Sequence, residues 1–161
     1  MKLLPDKPVL LLKNKVVIAD LHLGLFKYID DQIIKEVAEI SKLGEELIIL
    51  GDLKHIGRRC SIKKLLDVVD SVTLVKGNHD VNIKENISIE SSKGIRIGKY
   101  GLFHGHALPS EDVMQAKKLI FAHAHPSIFL ADDIGGVKKR AWLEGEMDIN
   151  GGKRASCNSS L

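Results

Sequence analysis

The sequence predicts a mixed α/β domain, and two observations lead to this fold class. In the first half, short aliphatic runs alternate with amphipathic segments in the order strand, helix, strand, helix, strand, which favours a parallel sheet covered by helices. In the second half, short strands follow one another and are separated by turns that contain glycine and serine. A length of 161 residues with a hydrophobic fraction of 44% fits a single domain with a real core.

The elements of the first half are predicted from hydrophobic spacing and from helix boundary signals. Four aliphatic runs predict strands, and the first two are close enough to pair as a hairpin. Two further segments carry apolar residues at helical spacing. The predicted strands are Val9–Leu12, Val16–Ala19, Leu47–Leu50 and Val72–Val75, and the predicted helices run from Asp30 or Asp31 to Gly44 and from Ser61 to Val69.

The second half predicts more strands and one short helix, with Ser110 as its N-cap and Lys117 and Lys118 in its last turn. From Asn150 onward the chain is mostly glycine, serine, asparagine and basic residues, with little to bury. We therefore expect one domain over residues 1–149 and a disordered polar tail over residues 150–161. The predicted strands are Ile87–Ile89, Ile95–Ile97, Tyr100–Phe103, Leu119–Ala122 and Val137–Leu143.

Composition excludes some classes of protein and leaves others open. No apolar run approaches the ~20 residues that span a bilayer, and the first residues lack the long apolar stretch of a signal peptide. Two cysteines without CxxC spacing predict neither a disulfide framework nor a thiolate metal site, so we expect a cytoplasmic protein. The net charge of +3 permits a nucleic acid partner without identifying one.

Polar side chains that can bind metal directly follow five of the predicted strands. All seven histidines of the chain lie in these five segments. In open α/β sheets the carboxyl ends of the strands form the ligand-binding edge, so we expect these side chains to meet there. The segments are Asp20-Leu21-His22, Gly51-Asp52-Leu53-Lys54-His55, Gly77-Asn78-His79-Asp80, His104-Gly105-His106 and His123-Ala124-His125.

Each segment alone also has a plain structural interpretation. Asp-x-His fits a helix cap beside a surface histidine, Gly51-Asp52 and Gly77-Asn78 fit tight turns, and His-x-His fits a polar patch. A metal site explains all five strand ends at once, and the mixed nitrogen and oxygen donors suit Mn, Fe or Zn. Seven donors are too many for one tetrahedral ion but suffice for two ions ~3.5–4 Å apart if one carboxylate bridges them.

In this order the five segments resemble the motifs of the calcineurin-like metallophosphoesterases, which are Asp-x-His, Gly-Asp, Gly-Asn-His-Asp or -Glu, a lone histidine, and Gly-His-x-His. The resemblance implies a sandwich of two facing sheets flanked by helices. Ala122 replaces the glycine of the last motif, which we expect to be tolerated if its backbone angle is ordinary. Within the family, Ala19–Gly24 and Gly51–His55 look most like archaeal phosphoesterases related to the SbcD-type DNA-repair nucleases, although the DNA-capping domain of those nucleases is absent.

The resemblance also implies a role for each matching residue. A first ion would be held by Asp20, His22 and His125, a second by Asn78, His104 and His123, with Asp52 bridging. His79 would protonate the leaving oxygen or stabilise charge on the phosphoryl group, Asp80 would orient His79, and His55 would lie close to the substrate or behind the ligands. His106 is the alternative to His104 as a ligand.

These roles predict a hydrolase that uses two divalent ions, Mn²⁺ first and Fe, Zn or Ni otherwise, to cleave phosphodiesters. Nucleic acid is the leading substrate, and no membrane partner is expected. The alternatives are a phosphodiesterase for small or cyclic nucleotides, and a non-catalytic scaffold with the same fold, as in one retromer subunit. The oligomeric state stays open.

Overall fold

The computed structural model describes residues 1–4, 7–149 and 153–159, and within this part three helices and thirteen strands form. The helices are α1, Asp30–Ser41; α2, Ile62–Leu66; and α3, Glu111–Met114. The strands up to α3 are β1, Lys2–Leu3; β2, Leu10–Leu12; β3, Lys15–Ile18; β4, Glu46–Leu50; β5, Val72–Val75; β6, Ser88–Glu90; β7, Ile95–Ile97; and β8, Tyr100–Phe103. The later strands are β9, Lys118–Phe121; β10, Ser127–Ala131; β11, Gly136–Arg140; β12, Leu143–Ile149; and β13, Lys153–Ser159.

The first sheet has the strand order β1-β2-β3-β4-β5-β6. Strands β3 to β6 are parallel, and β2 joins β3 as the predicted antiparallel hairpin. Helix α1 connects β3 to β4, and α2 connects β4 to β5, as expected for parallel strands that need crossover connections. The carboxyl ends of β3, β4 and β5 therefore lie side by side.

The second sheet has the order β12-β13-β9-β8-β7, and β8 is parallel to β9. It faces the first sheet across a core in which Val17, Ile48 and Leu50 pack with Leu102 and Ile120. Strands β3, β4 and β5 are buried on both faces, which explains their aliphatic runs, whereas the parallel edge strand β6 is exposed. In β4, for example, alternate residues face the interior between the sheets and the helix-covered side.

Helices cover the outer faces of both sheets. Ile34, Val37 and Ile40 of α1 pack on the first sheet, and Val113 of α3 packs on the second. The fold is therefore the predicted α/β sandwich of two facing sheets in a single domain. Each fully buried Leu, Ile or Val side chain contributes about 1.5–3 kcal/mol to this packing.

Several predicted boundaries differ from the structure. The residue before α1 is Ile29 rather than Asp30 or Asp31, and the Asp30 carboxylate instead accepts a hydrogen bond from the Gly24 N–H. Both short helices end earlier than predicted, so Val69 and Lys118 lie outside them. The predicted strand Val137–Leu143 is divided between β11 and β12. Ser110 caps α3 as predicted, because its hydroxyl accepts from the Val113 N–H at 3.4 Å.

The predicted polar tail differs most from expectation. The backbone of Lys153–Ser159 forms β13, which pairs antiparallel with β12 and parallel with β9. Backbone hydrogen bonds on both sides satisfy its polar groups, and this pairing does not need an apolar sequence. Residues 150–152, 160 and 161 lie outside the described residues, and the domain boundary at residue 149 stays a prediction. Within the described part, no helix is long and apolar enough to cross a membrane.

Candidate metal centre

The structure brings polar side chains from both sheets to one edge of the sandwich. The residues follow β3, β4 and β5 of the first sheet and β8 and β9 of the second. Among the described residues, potential metal-binding atoms lie within 4.8 Å of one another in three groups. The groups are Asp20 with His22 and His125, Asp52 with His104 and His123, and His22 with His55 and His79.

In the first group, the Asp20 carboxylate is buried in an unusual way. Both of its oxygens are buried without a hydrogen-bond partner among the described residues, and Oδ1 lies 3.6 Å from His125 Nε2. Burial raises the pKa of Asp20, although His125 and His104 oppose this effect. Since a buried carboxylate without a partner costs free energy, the arrangement fits a site where a cation completes its coordination.

In the second group, the Asp52 carboxylate lies between several histidines. Its Oδ2 is 3.4 Å from His104 Nε2, 3.7 Å from His22 Nε2 and 4.0 Å from His79 Nε2. Burial alone would raise the pKa of Asp52, but hydrogen bonds from the His104 side chain and the His79 N–H lower it to about 2. Asp52 is thus an ionised oxygen donor that touches both groups, as the expected bridging role requires.

His104 presents its Nε2 to this cluster because a backbone group engages the other ring nitrogen. Its Nδ1 lies 2.8 Å from the Leu50 carbonyl oxygen, which can only accept a hydrogen bond, so Nδ1 carries the proton. In the neutral ring Nε2 then has the lone pair, and it lies 3.2 Å from Asn78 Oδ1. In the metal-free chain burial lowers the pKa of His104, but the hydrogen bond and charge of Asp52 raise it overall and favour a second proton on Nε2, which an ion would replace. His106 belongs to none of the three groups, and its ring centroid is 5.2 Å from that of His104. This geometry favours His104 over His106 as a ligand.

His79 shows the opposite arrangement. Its Nδ1 accepts a hydrogen bond of 3.1 Å from the Ile56 N–H, so in a neutral ring the proton resides on Nε2. That Nε2 faces Asp52 at 4.0 Å. His55 lies beside it, with its Nδ1 3.4 Å from His22 Nδ1. Burial lowers the pKa of His22 to about 4 against the charge of Asp52, so this imidazole is neutral at pH 7, as a metal ligand must be.

Asp80 does not contact the His79 ring, which corrects the expectation that it orients that ring. Its buried carboxylate instead accepts hydrogen bonds from the N–H groups of Asp52, Gly77 and Lys54, at 2.7, 2.9 and 3.3 Å. Burial raises the pKa of Asp80, and these N–H groups oppose that effect. Asp80 therefore joins the loops after β4 and β5 and positions Asp52 rather than His79.

The backbone of the cluster is strained at several of its candidate ligands. Five of them have left-handed φ angles between 44° and 66°, a region that costs most residues free energy. They are Asp20, His22, Asp52, His123 and His125. Ala122 is not among the residues with positive φ, so the condition for replacing the family's glycine is met.

At two positions beside the cluster only glycine fits, because any larger residue would overlap neighbouring atoms. A Cβ at Gly77 would overlap the Asp52 side chain and backbone nitrogen, and a Cβ at Gly51 would overlap the His104 ring. Gly51 and Asp52 both have positive φ, as the turn interpretation allowed, whereas Gly77 and Asn78 do not. The chain still turns at Gly77-Asn78, because the Asp80 N–H donates to the Gly77 carbonyl oxygen at 3.4 Å.

A cavity adjoins the cluster and contains an arginine that the sequence did not reveal. Arg140 of β11 lines it together with Asp20 and His22. Arg140 follows His125 by fifteen residues and lies in no motif, so only the fold brings it close. The backbone groups of Leu50 and Ile56, which select the tautomers of His104 and His79, also have no sequence signal.

Comparison with known proteins gives a family match and several structural likenesses. The family model described as calcineurin-like phosphoesterase matches residues 15–150. A search of curated proteins gave no match. Vacuolar protein sorting 29 from Cryptosporidium parvum is similar at 13% identity and TM-score 0.43, covering 91% of this chain and 96% of that one.

Two further solved structures resemble the chain. A Vps29 single mutant from Entamoeba histolytica has 15% identity and TM-score 0.41 over 91% of this chain and 98% of that one. A conserved protein from Streptococcus pneumoniae TIGR4, titled a predicted phosphoesterase, has 15% identity and TM-score 0.43 over 90% and 70%. With such low identities and TM-scores, these likenesses carry no inference about activity.

Proposed function

The chain belongs to the calcineurin-like phosphoesterase family, and on that premise we propose that it hydrolyses phosphodiesters at the strand-end cluster. The family implies divalent metal ions, and Mn²⁺ is our first candidate. The observation that carries the proposal is the position of Asp52, whose Oδ2 lies 3.4 Å from His104 Nε2 and 3.7 Å from His22 Nε2. One carboxylate thus joins two groups of donors, the arrangement that a two-ion site needs.

The residues of the chain divide the chemical work. Bound ions would supply charge neutralisation of the phosphoryl group and a water activated for attack. They would be held by Asp20, His22, Asp52, Asn78, His104, His123 and His125. His79 would protonate the leaving oxygen from Nε2 in its imidazolium form, and in the neutral ring that the Ile56 N–H favours, its Nε2–H would stabilise charge there by a hydrogen bond. His55 lies behind His22 and beside His79, where it can reach either the ligand or the substrate.

The position of His79 supports diesters as the substrate class. A dialkyl phosphate must expel an alkoxide, which is a poor leaving group. Protonation of that oxygen therefore accelerates cleavage of a dialkyl phosphate more than cleavage of an ester with a better leaving group. Nucleic acid is the leading diester in this proposal, because Gly51–His55 resembles the corresponding motif of SbcD-related nucleases; the family match itself does not reach that narrower group. Small nucleotides are the rival.

The test compares two classes of ester under one metal and one pH. We expect the Mn²⁺-loaded protein to hydrolyse a bis-aryl phosphate with a higher kcat/KM than the matching mono-aryl phosphate. The Asp52→Asn variant, purified and loaded in the same way, controls for contaminating phosphatases and should be inactive toward both. A clear preference for the monoester would place the protein among phosphatases and end the diester proposal.

A further inference from the structure

The cavity beside the cluster has the size of a small-molecule site. Its volume is about 610 Å³, within the ~300–1,000 Å³ range of ligand pockets. Asp20 and His22 form part of its wall, so it shares two residues with the first group of donors. A group attached to a phosphorus at the cluster could extend into this cavity without leaving the protein surface.

Most of the cavity wall is apolar. Ile18 at the end of β3 and Ile33 and Val37 on α1 contribute aliphatic surface. Phe26 adds an aromatic ring that is 51% exposed, although it lies in the loop beside the candidate ligands. An exposed aromatic ring against an aliphatic wall is suited to a flat ring that stacks on one side.

The rest of the cavity wall is formed by charged side chains, some of them positive and some negative. Arg140 and Lys7 are exposed cations that suit a phosphate oxygen. Glu36 is an exposed carboxylate on α1 that suits the hydroxyl donors of a sugar. Asp30 also lines the cavity, but its carboxylate already accepts from the Gly24 N–H. A hydrocarbon chain would match the apolar wall and leave these charges unmatched.

We propose that this cavity binds one nucleoside unit of the substrate, with the base against Phe26 and the aliphatic wall and the phosphate near Arg140. The inference rests on the proposed function and narrows it to nucleotide diesters or the single-stranded ends of nucleic acid. A cavity of about 610 Å³ has room for one nucleotide and not for a base-paired duplex. The cavity therefore selects the substrate, while the cluster carries out the hydrolysis.

Binding to the metal-free protein tests the cavity independently of activity. We would titrate the chelator-treated chain calorimetrically with a nucleoside 5′-monophosphate, with methyl phosphate and with octyl phosphate. The nucleotide should bind at least about tenfold more tightly than either, because base–aromatic stacking adds to the phosphate contact. Phe26→Ala and Arg140→Ala should each weaken nucleotide binding by about tenfold.

Lys139→Ala is the matched control. Lys139 neighbours Arg140 in β11, and because successive residues of a strand point to opposite faces, it faces away from the cavity. All three altered side chains are largely exposed, so the variants should fold. If Arg140→Ala and Lys139→Ala weakened nucleotide binding equally, the loss would reflect the net charge of the protein and not a contact in the cavity. That result would overturn the assignment of Arg140.

The outcomes separate this inference from the proposed function. Octyl phosphate or methyl phosphate binding as tightly as the nucleotide would overturn the nucleoside cavity, even if the Mn²⁺-loaded protein hydrolyses diesters. Specific nucleotide binding that depends on Phe26 and Arg140 would support the cavity, even if no diester is hydrolysed. In that second case the proposed function fails and the binding site stands.

Discussion

Two backbone groups decide which ring nitrogen each of two histidines presents to the cluster. In the neutral ring, the Leu50 carbonyl oxygen accepts from His104 Nδ1–H and leaves the lone pair on Nε2, as a ligand requires. In the neutral ring, the Ile56 N–H donates to His79 Nδ1 and leaves a proton on Nε2, which can donate a hydrogen bond to negative charge at the cluster. The same residue type thus performs two different tasks a few ångströms apart.

We expect His79→Ala to keep its metal ions and to lose turnover by about 10²–10⁴-fold, the usual contribution of a general acid. Metal analysis and kcat for a dinucleotide, whose leaving group is an alkoxide, measure the two effects. His106→Ala is the control, because this histidine lies outside the three donor groups and should change kcat little. Loss of metal from His79→Ala, or wild-type turnover, would contradict the role given to this residue.

The unpartnered Asp20 carboxylate gives a prediction about pH. Burial raises its pKa in the folded metal-free chain, so the folded state holds its proton more tightly than the unfolded state does. The free energy of unfolding contributed by this group must then fall as pH rises above the ordinary value of 3.8. We expect Asp20→Asn to remove this loss and to abolish the stabilisation of the protein by Mn²⁺.

Denaturant unfolding of both proteins at several pH values, with and without chelator, measures this change. Glu144→Gln is a surface control for the removal of one carboxylate, since the Glu144 side chain is 63% exposed. If Asp20→Asn destabilised the metal-free protein at neutral pH, Asp20 would have a structural role.

Among secondary structure elements, the buried strands were predicted with closer bounds than the exposed ones. Strands β3, β4 and β5 bury both faces, so their aliphatic runs are visible in the sequence. Strands β10 and β11 form a hairpin in which every residue is exposed; β10 was not predicted although residues 128–131 form an apolar run, and β11 was predicted only within Val137–Leu143. Strand β13 is held by backbone pairing, which leaves no signature in the side chains.

The short helices give a matched pair of cap variants. The Ser110 hydroxyl accepts from the Val113 N–H at 3.4 Å, whereas Ser61, at the N-cap of α2, makes no such bond. We expect Ser110→Ala to lower the free energy of unfolding by about 0.5–1 kcal/mol, near the lower end of measured N-cap effects. Ser61→Ala should leave it unchanged. Equal losses, measured by denaturant unfolding, would show that the Ser110 hydrogen bond does not stabilise α3.

At the scale of the whole molecule, the candidate ligands come from both sheets. Asp20, Asp52 and Asn78 follow strands of the first sheet, and His104, His123 and His125 follow strands of the second. Binding of ions would therefore link the two sheets across the core. The side chains could be predicted from their place after five strands, whereas Arg140 could not, because only the fold brings β11 to the cavity.

We expect two Mn²⁺ ions per chain and a gain of about 2.7 kcal/mol per bound ion in the free energy of unfolding at a hundredfold excess over Kd. Metal analysis gives the stoichiometry, thermal unfolding gives the gain, and amide hydrogen exchange shows where protection increases. The increase should include β8 and β9 as well as β3, β4 and β5. A plateau at one ion, with protection confined to the first sheet, would contradict the linked two-ion site.

The left-handed backbone at five candidate ligands affects how such a chain can evolve. Each position costs roughly 1–2 kcal/mol that glycine would not incur, so exchanging Asp20 or Asp52 for glycine relieves the backbone while removing a ligand. Mutation under selection for folding alone would therefore erode the ligands sooner than the core. Descendants of such a chain that are no longer selected for catalysis would therefore tend to become more stable and inactive. They would keep the two-sheet fold after the metal ligands are lost.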